Sequence, residues 1–146
     1  MVDKLVRLVT GRFLFLFLHA VSTILLFHAK GPLVQIELDP NTAADDRKEQ
    51  YEHIDRWMAT LLAVSLVCMA CEFTGLLSGY TIHQKIANVL SALGHLGGFL
   101  STMSMILNGW TVRVYPYVFA LCSFLPAGFH SLWWTIWVLV RRLEPR

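Results

Sequence analysis

At 146 residues, 55% hydrophobic and only 15% charged, with a mean hydropathy of +0.54, the chain lies outside the range of ordinary soluble domains. A net charge of +2, with no basic stripe carrying interleaved aromatics, argues against a nucleic-acid partner. The three cysteines, Cys68, Cys71 and Cys122, all fall in apolar stretches and carry no information about redox compartment; Cys68-x-x-Cys71 lacks the strand and helix context of a redox motif.

Four windows, 13–29, 57–79, 86–107 and 117–140, each supply the roughly 17 to 25 apolar residues that cross a hydrocarbon core about 30 Å thick. They predict an all-α integral membrane protein, a bundle of four transmembrane helices. Around them lie a short amino-terminal segment (1–12), an extracytosolic loop and helical stem (30–56) and a tail (141–146). The first window follows Lys4, Arg7 and Arg12 but ends in FHAKGP, without a small-x-small cleavage site, so it reads as a retained span. In the loop, Gly31, Pro32 and Pro40 are expected to break the first helix. Thr42-x-x-Asp45 then matches a capping box that starts the second outside the membrane. Glu52 and Arg56 stand i, i+4 on that stem. Seven acids, Glu37, Asp39, Asp45, Asp46, Glu49, Glu52 and Asp55, make the segment a negative face, either solvated or used for docking. Spans two and three are joined by 80–85, and spans three and four by a turn carrying Asn108-Gly109 and Pro116.

Loop charge predicts the orientation. Lys4, Arg7, Arg12, Lys85, Arg141, Arg142 and Arg146 fall on one side, against Lys30, Arg47, Lys48, Arg56 and Arg113 on the other, which places both termini in the cytosol. Trp57, Trp110, Tyr115 and Tyr117 are expected at the outer border, Tyr80 and Trp137 toward the inner one.

Inside the spans the marked residues are polar. Glu72 is the one acid there, and on a helix it shares a face with Cys68, Gly75 and Gly79. Gly75-x-x-x-Gly79 with Ser78 on span two, and Gly94 with Gly98 on span three, are candidate helix-packing positions, so Glu72 is expected in a seam against span three. By depth, Glu72, His19, His95 and His130 fall within about 6 Å of the midplane on one side, forming an intramembrane polar layer with one group from each span. A charge at mid-helix costs on the order of 2.5 to 3.5 kcal/mol, whereas one interhelical hydrogen bond in a membrane returns about 0.6. Glu72 is therefore expected either to carry a proton or to pair with a histidine of a neighbouring span. If it is a neutral tether, Glu72→Gln should be tolerated and Glu72→Leu should not. A structural tether, a proton or ion relay, and a partner or lipid contact all remain open for it. The histidines, never closer than nine positions, do not form a metal site. Pro126 in span four is expected to free the carbonyl of Cys122 and kink the helix. There is no GxSxG, no HExxH, no histidine box, no Walker glycine loop and no intramembrane pair of acids, so neither an enzyme nor a cofactor is expected.

Four blocks, GRFLFLFLHAVSTILLF (11–27), EFTGLLSGY (72–80), ALGHLGG (92–98) and YPYVFALCSFLPA (115–127), resemble in order the corresponding blocks of the transmembrane protein 107 family. That resemblance implies a four-span, non-enzymatic component of the ciliary transition zone in the Meckel-syndrome module. Its partners would be membrane lipids and other membrane and peripheral proteins of that zone, and its role upkeep of the gate that sets ciliary membrane composition; an oligomer is compatible with it. The block at Glu72, Gly75, Leu77, Ser78 and Gly79, the residue His95, and the block at Tyr115, Tyr117, Phe119, Cys122, Ser123, Leu125, Pro126 and Ala127 carry over as architectural positions. The chain departs from the family mainly in the acidic loop. Two readings from other classes compete: a small proton-coupled transporter using Glu72 with His19, His95 and His130, and a lipid-binding sensor using a crevice beside Pro126.

Overall fold

The computed structural model describes residues 2–41, 43–79 and 85–143. Among them the backbone is helical with no strand: α1 (Val2–Ile36), α2 (Ala44–Leu77), α3 (Lys85–Asn108), α4 (Tyr115–Phe119) and α5 (Leu125–Leu143). A 3-10 turn at Val112–Val114 precedes α4, and a π-helical turn at Ala120–Phe124 joins α4 to α5 as one rod. Four stretches are long and apolar enough to cross a membrane: Val6–Ile36, Ala44–Leu77, Ile86–Asn108 and Val112–Phe129.

The helices are held by a repeated 4-3 spacing of inward residues. On α2 the buried positions are Met58, Leu62, Ser65, Met69, Glu72 and Leu76. On α1 they include Arg12, Leu16, His19, Thr23 and Leu26, and on α3 Asn88, Ser91, His95, Thr102 and Met105. A 3.5-residue repeat keeps one stripe facing neighbours over many turns, as in a coiled coil. The outward positions, such as Phe17, Val67, Leu93 and Leu107, are exposed apolar side chains, as lipid contact requires.

Helix α1 packs against both α2 and α3, and the α4–α5 rod packs against the same two from the other side. Helices α2 and α3, though consecutive in sequence, therefore lie diagonally across the bundle. The expected glycine contact between spans two and three is therefore not formed, because the glycines of α3 serve other neighbours, although Glu72 does face α3, where Ser91 and His95 bond it. A Cβ on Gly98 would stand 2.5 Å from His19 Nε2 on α1, and one on Gly94 would stand 3.4 Å from Pro126 Cγ on α5. Gly79 lies past the end of α2 rather than on its face. It follows the C-cap Ser78 with φ +73°, the left-handed conformation that ends a helix, and its N–H bonds Leu76 O at 3.1 Å. Ser78 is exposed and donates its hydroxyl to Gly75 O at 2.9 Å.

Other expectations change at the ends of the helices. Helix α1 does not stop at Gly31-Pro32 but runs through Pro32 to Ile36. Beyond the proline, Leu33 and Val34 are buried in a core with Leu26, Met58, Leu62, Met105, Val112, Tyr115 and Val118. Burying side chains of this size is worth about 1.5 to 3 kcal/mol each, which offsets the roughly 3 kcal/mol cost of an interior proline. The N-cap of α2 is Ala43, with no side-chain cap bond, while Asp45 and Asp46 occupy the first turn, where the helix dipole favours acids; Thr42 lies outside the described residues. Arg56 Nε bonds the main-chain oxygen of Glu52 at 3.2 Å rather than its carboxylate. Tyr115, expected at the membrane border, is 1% exposed in the core. Around the loop, Lys30 pairs with Asp55 and Arg113 with Glu37, tying the acidic segment to α1 and to the turn before α4.

At Pro126 the hydrogen bonding steps outward by one residue: Leu125 N–H reaches Ala120 O in the wider π turn just before the residue that has no N–H to offer. That turn faces Ser123 inward, where its hydroxyl lies 2.6 Å from that of Ser65. The proline is itself buried against Gly94, so packed residues occupy that side of the rod.

These contacts rank the glycines. Gly98→Ala should lower the thermal unfolding midpoint in lipid nanodiscs by several degrees, because the His19 ring would have to move. Gly11→Ala and Gly128→Ala, with nothing within 4 Å of a new Cβ, should be neutral or gain up to about 1 kcal/mol of helix propensity. Equal effects at the three sites would contradict the tight α1–α3 approach.

Candidate functional site: a buried polar cluster

The site begins with a residue that loop charge assigned to the cytosolic flank. Arg12 is 0% exposed, on the same stripe of α1 as His19 two turns later. Its Nη1 donates to Asn88 Oδ1 at 2.6 Å, its Nε to Ser91 Oγ at 3.0 Å, and its Nη2 to Glu72 Oε2 at 3.3 Å. The planar fork of a guanidinium can address three acceptors on two helices at once, where an ammonium could not. Ser91 is a bridge, accepting from Arg12 and donating to Glu72 Oε2 at 2.9 Å.

Glu72, 2% exposed, is thus paired with an arginine as well as a histidine. His95 Nε2 lies 3.1 Å from the same carboxylate oxygen, and His95 Nδ1 lies 3.1 Å from His19 Nδ1. An ionised carboxylate only accepts, so His95 Nε2 carries the proton of that bond. Neutral His95 then accepts at Nδ1 from His19 Nδ1–H, which leaves His19 Nε2 as a lone pair. That atom is buried and has no hydrogen-bond partner among the described residues. Among the described residues the chain from Arg12 through Glu72 and His95 therefore ends at His19, whose ring stands where a Cβ on Gly98 would have to go.

Beyond that end the hydroxyls turn back on their own helices. Ser22 and Thr23 donate to His19 O at 2.9 and 2.8 Å, and Thr102 donates to Gly98 O. Three of the four members of the expected polar layer, Glu72, His95 and His19, are brought together; the side chain of His130 lies outside the described residues. Gly75 is half-buried on α2, one turn from Glu72. No group of three or more metal-ligating side chains occurs among the described residues. Cys68 and Cys71 are unbridged, with Cys71 exposed. An apolar groove of about 320 Å³ opens between α1 and α2 and includes Leu16, Ala20, Met69 and Phe73.

Arg12 and Asn88 are the members that sequence reasoning left out. The available signal was their spacing: Arg12 to His19 and Asn88 to His95 are both seven residues, two turns along one face. The arginine also changes what substitution of Glu72 should do. Glu72→Gln would leave Arg12 buried without its counter-ion, so the neutral replacement is no longer expected to be tolerated. Removing one partner of a buried pair typically costs about 3 to 5 kcal/mol, while replacing both by apolar groups can be neutral. Arg12→Met, Glu72→Gln and Glu72→Met should each destabilise strongly in reversible unfolding, and R12M/E72M should cost much less than the sum of the R12M and E72M losses. Additive losses would mean that the two charges are not coupled.

The TMEM107 family, described as a transmembrane protein, matches residues 8–134. Curated relatives named "Transmembrane protein 107" from Rattus norvegicus and Homo sapiens are each 32% identical over 120 residues, covering 82% of this chain and 83% of theirs. The relative of that name from Xenopus laevis is 31% identical over the same length. No solved structure matches. The match reaches all four candidate spans and takes in every residue of the cluster, Arg12, His19, Glu72, Asn88, Ser91 and His95, and on these grounds the chain belongs to the transmembrane protein 107 family.

Proposed function

We propose that this multi-pass membrane protein is a non-enzymatic scaffold of the ciliary transition zone, with both termini in the cytosol. It would retain other membrane and peripheral proteins of that zone, and the surrounding lipid, so as to maintain the gate on ciliary membrane composition. Family membership supports the reading, and the closed form of the polar cluster carries it. Arg12, Glu72, His95 and His19 are bonded to one another across three helices, which fixes how the helices assemble and leaves the outer faces for lipid and partners. Mispaired helices would leave Arg12 or Glu72 unsatisfied in lipid, so the pair selects one bundle among alternatives.

A proton-coupled transporter is the less supported reading. A transport path needs polar groups that hand a proton from one side to the other. Among the described residues the hydrogen-bonded chain stops at His19, the next hydroxyls donate to their own helix carbonyls, and farther along lies the apolar core around Leu26, Met58, Leu62 and Met105.

A tagged copy expressed in ciliated cells should form a ring at the ciliary base, between basal-body and axoneme markers. Arg12→Met should reduce that ring while R12M/E72M largely restores it, since bundle assembly rather than charge is what the scaffold needs. Even distribution over another membrane would overturn the localisation, and a pH-dependent flux in proteoliposomes would revive the transporter.

A further inference from the structure

The apolar groove between α1 and α2 takes no part in the polar cluster. We infer that it is a binding site for one acyl chain of a membrane phospholipid, drawn from the leaflet on the amino-terminal side of the bundle. The inference does not depend on the scaffold reading.

The groove arises from two small side chains. Leu16 on α1 and Met69 on α2 are buried and close its floor, on the stripes that carry Arg12 and Glu72. Beside them each helix presents an alanine, Ala20 and Ala70, whereas nearby exposed positions carry large groups: Phe17 and Ile24 on α1, Val67 on α2. The space that the two methyl groups leave open is the groove. Phe73 forms part of its wall and is braced by Phe13 of α1, the ring centroids standing 5.1 Å apart. The whole lining lies inside the candidate spans Val6–Ile36 and Ala44–Leu77.

Polarity and width decide the occupant. The one polar side chain of the lining, Thr74, donates its hydroxyl to Cys71 O at 2.8 Å on its own helix, so a guest meets hydrocarbon. Water is excluded, since an apolar cavity stays dry. From Leu66 to Thr74 the groove runs about 12 Å at 1.5 Å per residue. A volume of about 320 Å³ spread over that length leaves a mean cross-section of about 27 Å², a slot about 6 Å across. A row of methylenes, in contact at about 4 Å between carbons, fits such a slot. A second transmembrane helix, about 10 to 12 Å wide with its side chains, does not. Position agrees with width. Thr74 lies in the last turn of α2, which ends at Leu77, so a chain anchored at that surface enters past Thr74 and runs along Ala70 to Leu66. Moving from bilayer to groove gains the chain no hydrophobic free energy, because both are apolar; close packing against floor and walls holds it. One added side chain in the slot is therefore enough to expel it.

The test reconstitutes the full chain in nanodiscs of palmitoyl-oleoyl phosphatidylcholine, transfers it to detergent and counts retained lipid by native mass spectrometry. The wild type should keep one phospholipid after the bulk lipid is stripped. Ala70→Leu fills the slot from an exposed position that leaves the core untouched, and the lipid-bound fraction should fall about fivefold or more. Ala63→Leu adds the same group at an exposed position of α2 outside the groove and should retain lipid as the wild type does. A second readout needs no variant: phosphatidylcholine with a diazirine on its acyl chain should crosslink the wild type mainly within 16–20 and 66–74. A wild type that keeps no phospholipid, equal retention in A70L and A63L, crosslinks spread evenly over the exposed faces, or a wild-type dimer that A70L dissociates would each overturn the inference, the last by assigning the groove to a second copy of the chain.

Discussion

The structure depends on one constraint: Arg12 and Glu72 can be buried in this bundle only together. Either charge alone at that depth would cost several kcal/mol, and no single hydrogen bond in a membrane returns as much. Their pairing requires α1 and α2 to meet at one register, and the bonds from Arg12 to Asn88 and Ser91 set α3 at the same level. The polar groups therefore contribute less as adhesive than as a definition of which helix faces belong together.

The rest of the packing follows from that register. With Arg12 at the level of Ser91, His19 falls two turns along, where only a glycine on α3 leaves room for its ring. Gly94 on the same helix accepts Pro126 of the α4–α5 rod. The two glycines read in sequence as one packing stripe thus serve two different neighbours. The π turn before Pro126 turns Ser123 toward Ser65 and ties the rod to α2. The bundle is a ring of four in which α1 and the α4–α5 rod separate α2 from α3, and only long side chains such as Glu72 and His95 reach across the middle.

The same closure bears on function. A polar chain that begins at an arginine and ends at a histidine pressed on a glycine holds helices together and exposes no reactive group. Its outer surface is apolar and its extramembrane segment is pinned by the Lys30–Asp55 and Glu37–Arg113 pairs. A membrane scaffold needs these properties: a defined bundle, a lipid-facing exterior and a fixed exposed end.

Composition and hydropathy were enough to establish a helical membrane protein with four spans, because the need to bury every backbone polar group in lipid leaves few alternatives. The sequence also marked Glu72, His19 and His95 as exceptional, since ionisable residues are rare at that depth. It offered a histidine of a neighbouring span as a partner for Glu72, as His95 is, but it did not find Arg12. Arg12 sits at the edge of an apolar window and reads as an ordinary basic flank; only the docking of α1 beside α2 and α3 draws it inside. Gly79 and Pro32 misled for a related reason. Whether a glycine continues a face or ends a helix, and whether a proline stops one, depends on neighbouring packing that local spacing does not contain. The ring order of the helices is likewise a tertiary property: short links allow α2 and α3 to be neighbours, but buried charges and the room left by two glycines decide that they are not.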